Sequence, residues 1–382
     1  MEVVKINKII DKLLKLIFKD GLRYYKTKTF LIKIKTFFSN YKNNKKIKEP
    51  INFKKEIYHM NEAYGNSENL KIYSKNNKSI KASIEHGLYI GNHYNKFETS
   101  NSFLPAIITL SEYRKKILLN KNKFIFDIGP YIHYSKKINM NFIQKEKEKY
   151  GKNLLVFPSH SIESIEWRYN IKDFINLIKK IKKAYNFDTV NICLYWVDIN
   201  NKLDEVYKKE DFNVITAGHK KNKYFLNNLK KYILLSDFVI SNNIGTHIGY
   251  VNYLNRPQYI YKQELKVIAN SEKDYKKEFG DRDFESTEKI KNKLYKAFSK
   301  INFEITREQK EICNYYWGFD KVKTPDEINF ILTFLDEAFY LMNKKKYTLK
   351  EIYNKKIYDI KNDNYKRILK ESFNGGLDDA EQ

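Results

Sequence analysis

Asp237-Phe238-Val239-Ile240-Ser241-Asn242-Asn243-Ile244-Gly245-Thr246-His247 is the stretch on which the fold turns. A short apolar run of the kind a buried strand uses stops at a hydroxyl, two amides and a glycine. Ile248 to Leu254 then reads as a short helix. Strand, polar turn and helix make half of a βαβ unit. The same rhythm extends both ways. Upstream, Asn153 to Phe157 is a compact apolar run closed by Pro158-Ser159-His160-Ser161, and Asp173 to Tyr185 is a helical pattern. Thr189 to Tyr195 and Asn213 to Thr216 are strands, the second stopped by Ala217-Gly218-His219, and Tyr224 to Leu235 is helical. Downstream, Pro257 to Tyr261 is a fifth strand. The series predicts an α/β fold, with a parallel sheet covered on both faces by helices.

The rest of the chain is less regular. Residues 51–150 carry short apolar runs between polar turns: Leu88-Tyr89-Ile90, Ala106 to Leu110 and Phe124 to Ile128. A lysine-rich stretch, Lys145 to Lys152, reads as a solvated helix or linker. Residues 266–382 look helical. Thr306 with Gln309 and Thr324-Pro325 with Glu327 are capping-box starts, and Ile328, Ile331, Leu332, Leu335 and Phe339 form an apolar stripe. The tail from Asn374 reads as frayed. No internal repeat is visible.

Composition narrows the class. The chain has 382 residues, 42% of them hydrophobic, enough for a sizeable core and too many for a disordered chain. Two cysteines, Cys193 and Cys313, make no disulfide framework; they fit a reducing compartment and read as core residues. No apolar run is long enough to span a bilayer, and no secretory signal is visible. The formal charge is +26, in a chain crowded with Lys, Asn, Ile, Tyr and Phe that uses little Arg; an AT-rich coding sequence gives that bias without any partner. The charge is uneven. Residues 1–50 hold 14 Lys/Arg against four acids. Lys5, Lys8, Lys12, Lys15 and Lys19 share one helical face, opposite Ile6, Ile9, Ile10, Leu13, Leu14 and Ile17. Such a basic amphipathic helix over residues 1–20 suits an anionic membrane surface; a helix docked on its own protein has the same pattern.

Chemistry belongs at the carboxyl ends of the strands, where open α/β sheets bind ligands. Three ends carry hydroxyls, amides, glycine and histidine. Ser159-His160-Ser161 and the turn of Ser241, Asn242, Asn243, Gly245 and Thr246 can hold phosphate oxygens through hydroxyls and backbone N–H groups ahead of a helix. Gly218-His219 leaves a bare backbone edge for a nucleobase. Each also suits ordinary helix capping; three together favour a phosphate or nucleotide site. On the other half, Ser83-Ile84-Glu85-His86-Gly87 places a histidine of near-neutral pKa at a strand end, able to take a proton from a hydroxyl, with Glu85 as support or competitor. A hydrogen-bonded structural histidine is the plainer alternative. Asp127 reads first as a turn former.

The run from Leu235 to Tyr250, continued by Asn255-Arg256-Pro257, resembles the nucleotide-sugar-binding half of bacterial glycosyltransferases of the two-Rossmann-domain (GT-B) type, and Leu154 to Tyr261 is similar to that whole domain. Glu85-His86-Gly87 resembles the His-Gly turn of the related polyol-phosphate polymerases, where the histidine is the base. With the basic arm, the likeness extends to capsule and lipopolysaccharide assembly transferases at the inner membrane face. The resemblance implies a basic arm (1–50), an acceptor-side α/β domain (51–150), a donor-binding Rossmann-like domain (151–265) and a helical segment (266–382) returning to the first domain. It implies a cytoplasmic transferase, peripheral to the membrane, moving a sugar from a CMP-, CDP- or UDP-linked donor to a glycan or lipid-linked glycan. The donor phosphates would lie on Ser159, Ser161, Ser241, Asn242 and Thr246, with His160 neutralising the leaving phosphate when protonated and His86 activating the acceptor hydroxyl.

Two other readings stand beside it. The same site can transfer a CDP-activated polyol phosphate. A basic nucleic-acid-binding protein would explain the charge, but many of the aromatics fall within apolar runs, so no nucleic-acid partner is expected. The chain lacks a Walker loop, GxGxxG after a strand, GxSxG, CxxC and HExxH. Asp281-Arg282-Asp283 matches a DxD metal motif but lies among charged helices, so no metal and no cofactor beyond the donor are expected.

Overall fold

The structure is a computed structural model that describes residues 47, 56–94, 99, 101–119, 122–280 and 283–373. The amphipathic helix expected over residues 1–20, the tail from Asn374, and Asp281 and Arg282 of the DxD motif lie outside the described residues.

Three short strands, β1 (Ala82–Ile84), β2 (Ala106–Thr109) and β3 (Phe124–Asp127), form a parallel sheet in that order. Every residue in them is buried, the polar Ser83, Thr109 and Asp127 included, as in a sheet covered on both faces. Helix α1 (Asn66–Ser74) precedes β1, and α2 (Glu112–Leu118) connects β2 to β3. The apolar run Leu88-Tyr89-Ile90 is not a strand. It is a loop beyond β1, fixed by side chains described below.

The lysine-rich stretch is the exposed end of α3 (Met140–Tyr150), of which only Ile143 is buried. A second sheet follows, built from β4 (Asn153–Phe157), β6 (Thr189–Cys193), β7 (Asn213–Ile215), β8 (Phe238–Ser241) and β9 (Gln258–Ile260). Its order is β7-β6-β4-β8-β9 and all pairs are parallel, as the strand–helix rhythm predicts. Helix α4 (Ile171–Ala184), capped by the Asn170 side chain, buries Phe174, Ile178 and Ile181 against Leu154, Val156 and Ile240. Two short helices, α5 (Trp196–Asn200) and α6 (Leu203–Lys208), lie between β6 and β7. On the other face, α7 (Phe225–Leu235) and α8 (Thr246–Tyr253) cover Leu155 and Val239. Leu154 and Leu155 therefore face opposite ways, as the pleat requires. The pattern did not reveal β5 (Ile165–Arg168), which pairs antiparallel with β10 (Lys266–Ala269) across about a hundred residues of chain.

The remaining described chain is helical: α9 (Glu272–Phe279), α10 (Phe284–Ala297), α11 (Arg307–Trp317), α12 (Pro325–Lys344), α13 (Leu349–Asp359) and α14 (Asp363–Ser372). Both expected capping boxes are formed, and Thr348 with Glu351 makes a third. The stripe of α12 packs on α1, and α14 packs on β3, where Phe124 meets Phe334 and Phe373 at about 5 Å. One apolar cluster runs from Ile84, Ile108 and Phe126 of the first sheet to Leu155, Val239 and Ile248 of the second. No described helix is long and apolar enough to cross a membrane.

Candidate functional site

The strand order reverses between β4 and β8, and the carboxyl ends of these two strands are where an open α/β sheet of this order forms its ligand crevice. The two loops there are bonded to each other. Ser159 N donates to Asn242 Oδ1 at 2.6 Å, and Asn243 Nδ2 donates to Ser159 Oγ at 3.1 Å. Ser161 N donates to Asp198 of α5 at 3.1 Å, and Trp167 N donates to Ser161 Oγ. Ser159, Ser161, Ser241 and Asn242 are each below 5% exposed. These four side chains are therefore the floor that holds the loops, not the surface that meets a ligand. They lie at the strand ends the sequence assigned them, with their side chains buried.

The wet side belongs to other groups. His160 keeps more than a third of its surface open, yet enough protein surrounds it to push its pKa down to about 4. The His247 ring packs on Phe157 at 4.8 Å, its Nε2 is buried without a hydrogen-bond partner, and burial followed by the nearness of His160 lowers its pKa to about 3. Both imidazoles are thus neutral at pH 7, and His160 offers no standing positive charge to a leaving phosphate. Tyr195 lies against His160 (4.7 Å between rings) and beside Trp196, whose ring in turn meets His219 at 4.3 Å. His219 is itself buried; its Nδ1 accepts from Lys221 N, and the turn begins with Gly218 at φ 100°, a backbone conformation that favours glycine. Asn243, Gly245 and Thr246 are part-exposed. Asp198 is buried, and desolvation raises its pKa to about 6 against the lowering effect of its bonds to Ser161.

The facing wall comes from the first sheet. His86 follows β1 and is part-exposed, with Tyr89 Oη 2.8 Å from Nδ1 and the Tyr64 ring 6.3 Å away. Tyr64 is hydrogen-bonded to Tyr195, so a chain of rings runs from His86 across the crevice to His160. Glu85 points elsewhere. It is fully buried; Oε1 accepts from Arg114 Nη2 at 2.6 Å, and Oε2 accepts from Arg114 Nε and Thr109 Oγ1. With both oxygens engaged in a two-point ion pair, Glu85 cannot compete with His86 for a substrate proton. Arg114 also donates to the carbonyls of Tyr89 and His93, and so holds the loop that carries His86. The sequence signal for it was its type, an arginine in a chain that otherwise uses lysine.

Thr246 joins the walls. Its Oγ1 accepts from Leu88 N at 3.0 Å, leaving its own proton to donate, and its carbonyl accepts from Trp317 Nε1 at 2.9 Å. A Cβ at Gly87 would lie 2.6 Å from Thr246 Oγ1, so only glycine permits this approach. Asp127 is paired with Lys115 at 3.7 Å and lies within the fold rather than in the crevice. Asp283 caps α10, and no cluster of metal-ligating side chains occurs among the described residues.

No family model and no curated protein matches the chain. Solved structures similar to it include a variant of the wall teichoic acid polymerase TagF with CDPG, at 13% identity over 64% of this chain and 60% of that one, with a TM-score of 0.39. A UDP-GlcNAc 2-epimerase from Neisseria meningitidis bound to UDP-GlcNAc is 15% identical over 68% of each chain, with a TM-score of 0.32. The MnaA–UDP structure from S. aureus is 12% identical over 68% of this chain and 66% of that chain, with a TM-score of 0.33. The chain spans about 60% of the length of the TagF chain it matches, and the likeness lies at the level of fold.

Proposed function

We propose that the chain is a glycosyltransferase that moves a sugar from a nucleotide-activated donor to the hydroxyl of a surface-glycan or lipid-linked acceptor. One observation supports the reading: after β4 and β8, where the strand order reverses, the exposed His160 and the part-exposed Asn243, Gly245 and Thr246 come at neighbouring strand ends, and Leu88 N, two residues beyond His86, bonds Thr246 Oγ1. The donor diphosphate would lie against the part-exposed Asn243, Gly245 and Thr246, where N–H groups and the helix dipole favour an anion. Gly218 and the Trp196–His219 pair would border the base. The acceptor oxygen forms its bond to the anomeric carbon, and its proton passes to His86. The bond from that carbon to the phosphate oxygen breaks, and the nucleotide leaves with the electron pair. Tyr89 fixes which nitrogen of His86 is basic: if Tyr89 accepts from Nδ1–H, Nε2 is the base. Fixed donors, without a metal, would stabilise the leaving group.

The same reading assigns residues 51–150 to the acceptor and 151–265 to the donor. It puts the enzyme in the cytoplasm, on the inner membrane face through residues 1–20. The first test is a thermal-shift panel of CMP, CDP, UDP, GDP and their sugar conjugates. A ligand at a hundred times its Kd stabilises by about 2.7 kcal/mol and raises Tm by a few degrees. If no nucleotide moves Tm, the reading fails. Donor breakdown then separates the chemistries: free sugar supports this proposal, and a released phosphopolyol overturns it in favour of phosphotransfer.

A further inference from the structure

Among the described residues other than glycine that have a left-handed backbone, Tyr64 is the one aromatic; the others are lysines, asparagines and an aspartate. Its φ is 57°, and Gly65 continues the turn at 75°. A bulky side chain is strained in that conformation, whereas asparagine adopts it readily. The turn is pinned to the loop beyond β7. Tyr64 N donates to the Lys220 carbonyl at 2.5 Å, and a Cβ at Gly65 would lie 2.3 Å from the Lys223 carbonyl oxygen. These are backbone contacts, which asparagine would make as well. What tyrosine adds at this strained position is its side chain, and strain kept for a side chain points to a function for it. The ring is part-exposed. It lies 4.8 Å from Phe225 of α7 and 6.3 Å from His86, and its oxygen is bonded to Tyr195, whose ring meets His160.

His86 needs such a neighbour. Tyr89 Oη is 2.8 Å from its Nδ1 and 3.4 Å from its Nε2, so a modest turn of the imidazole changes which nitrogen Tyr89 meets. The Tyr64 ring, tilted 41° to the imidazole, is a second contact that limits that turn. We infer that Tyr64 is a positioning residue: its ring holds His86 at the tilt that keeps Nδ1 on Tyr89 and Nε2 free for an acceptor hydroxyl. The role in catalysis rests on the transferase reading; the hold on His86 does not. Tyr64 also joins the His86 wall to the donor half, through the Lys220 carbonyl and Tyr195, so the spacing between base and donor passes through it. A shift of about 1 Å in such a spacing can cost on the order of 10²-fold in rate.

The test compares three variants of the full chain. Tyr64→Asn suits the backbone and removes the ring. Tyr64→Leu removes the ring but keeps an apolar contact for Phe225. Tyr64→Phe keeps the ring and removes only the hydroxyl. Turnover is read as nucleotide released from CMP-, CDP-, UDP- and GDP-linked sugars. Nitrogen-15 histidine spectra at pH 8.5 report which His86 nitrogen carries the proton, with the signal assigned by its loss in His86→Gln. Both ring-less variants should lower kcat about tenfold or more, leave the donor Kd within about twofold, and show His86 exchanging between two tautomers. Tyr64→Phe should restore kcat to within about threefold of the unaltered chain and restore a single tautomer. Intact donor binding shows that a variant is folded, and if one ring-less variant does not fold, the other decides. Undiminished kcat or an unchanged single tautomer in a folded ring-less variant would overturn the inference, as would an equal loss in Tyr64→Phe. If the unaltered chain turns over donor and the ring-less variants do so equally well, only the Tyr64 assignment falls. If the unaltered chain binds no nucleotide, the transferase reading falls, and the tautomer spectra alone decide whether Tyr64 holds His86.

Discussion

Donor binding should take up a proton, and the amount can be worked out from the crevice. Free His160 has a pKa of about 4, so at pH 5.5 it carries only about 0.03 proton. A singly charged phosphate about 4 Å from the imidazole favours its protonated form by about 4 kcal/mol at an effective dielectric constant of about 20, which is about 3 pKa units. The ring is open on the crevice side, and solvent screening there can halve that gain to about 1.5 units. The occupied site then has a pKa between about 5.5 and about 7, giving an uptake of about half to one proton at pH 5.5 and almost none at pH 8.5. His247 starts lower, at about 3, and adds a smaller share; the two rings titrate as a pair. The assay is calorimetric titration with a uridine or guanosine diphosphosugar, whose diphosphate diester does not itself titrate in this range, in two buffers of different ionisation enthalpy. The difference in heat divided by the difference in ionisation enthalpy is the proton count. Equal heats in both buffers at pH 5.5 would refute the assignment of these rings to the phosphate site. So would undiminished uptake by the His160→Asn/His247→Asn double variant.

The remaining expectations concern the frame around that site. His86→Ala should lower turnover on the order of 10²–10⁴-fold and leave the donor Kd within about twofold; full turnover in steady-state assays removes His86 from catalysis. Arg114→Met leaves the Glu85 carboxylate buried and unpaired, and should cost about 3–5 kcal/mol in urea denaturation. Adding Glu85→Gln to that variant should recover much of the loss, and no recovery would mean that packing rather than charge is at stake. Asp198 is an acid whose pKa is raised by folding, from 3.8 to about 6, so its contribution is greatest at low pH and is lost as pH rises through about 6. Asp198→Asn, which keeps one acceptor for Ser161 N, should raise stability at pH 8 by roughly 1–3 kcal/mol and flatten the dependence between pH 4 and 6. Denaturation curves at three pH values check both effects.

The second sheet was legible because its information is local. Each of its strands is a run of three to five residues ending in a polar turn, and each flanking helix has its own periodicity, as Phe174, Ile178 and Ile181 show. The caps at Thr306 and Thr324 were legible for the same reason: donor and acceptor are three residues apart. Where pairing is non-local the pattern failed. The β5 run Ile165-Glu166-Trp167-Arg168 grades from buried to exposed without alternating, and its partner lies about a hundred residues away. Leu88-Tyr89-Ile90 is as apolar as a strand, but Arg114 and Thr246 fix it as a loop, and neither is near in sequence.

The candidate site divides along the same line. Ser159, Asn242 and Gly218 lie after strand ends, where the sequence placed them, and the first two are in contact. It could not say which way each side chain faces. Small polar residues at a turn are the best phosphate binders and also the best loop braces, and which role they take depends on whether a second loop lies close enough to bond. Here β4 and β8 are neighbours, so Ser159 and Asn242 bond each other, while His160 is left exposed and His247 packs on Phe157. Glycines recorded these approaches without naming the partner: a Cβ at Gly87 would strike Thr246, and one at Gly249 would lie 2.1 Å from Trp317 Cδ2. Both contacts hold α8, one from the His86 loop and one from α11. The amino end of α8 is thus fixed from two sides by residues distant in sequence, and on the proposed transferase reading its N–H groups would meet the donor phosphates without relying on the mobility of a loop.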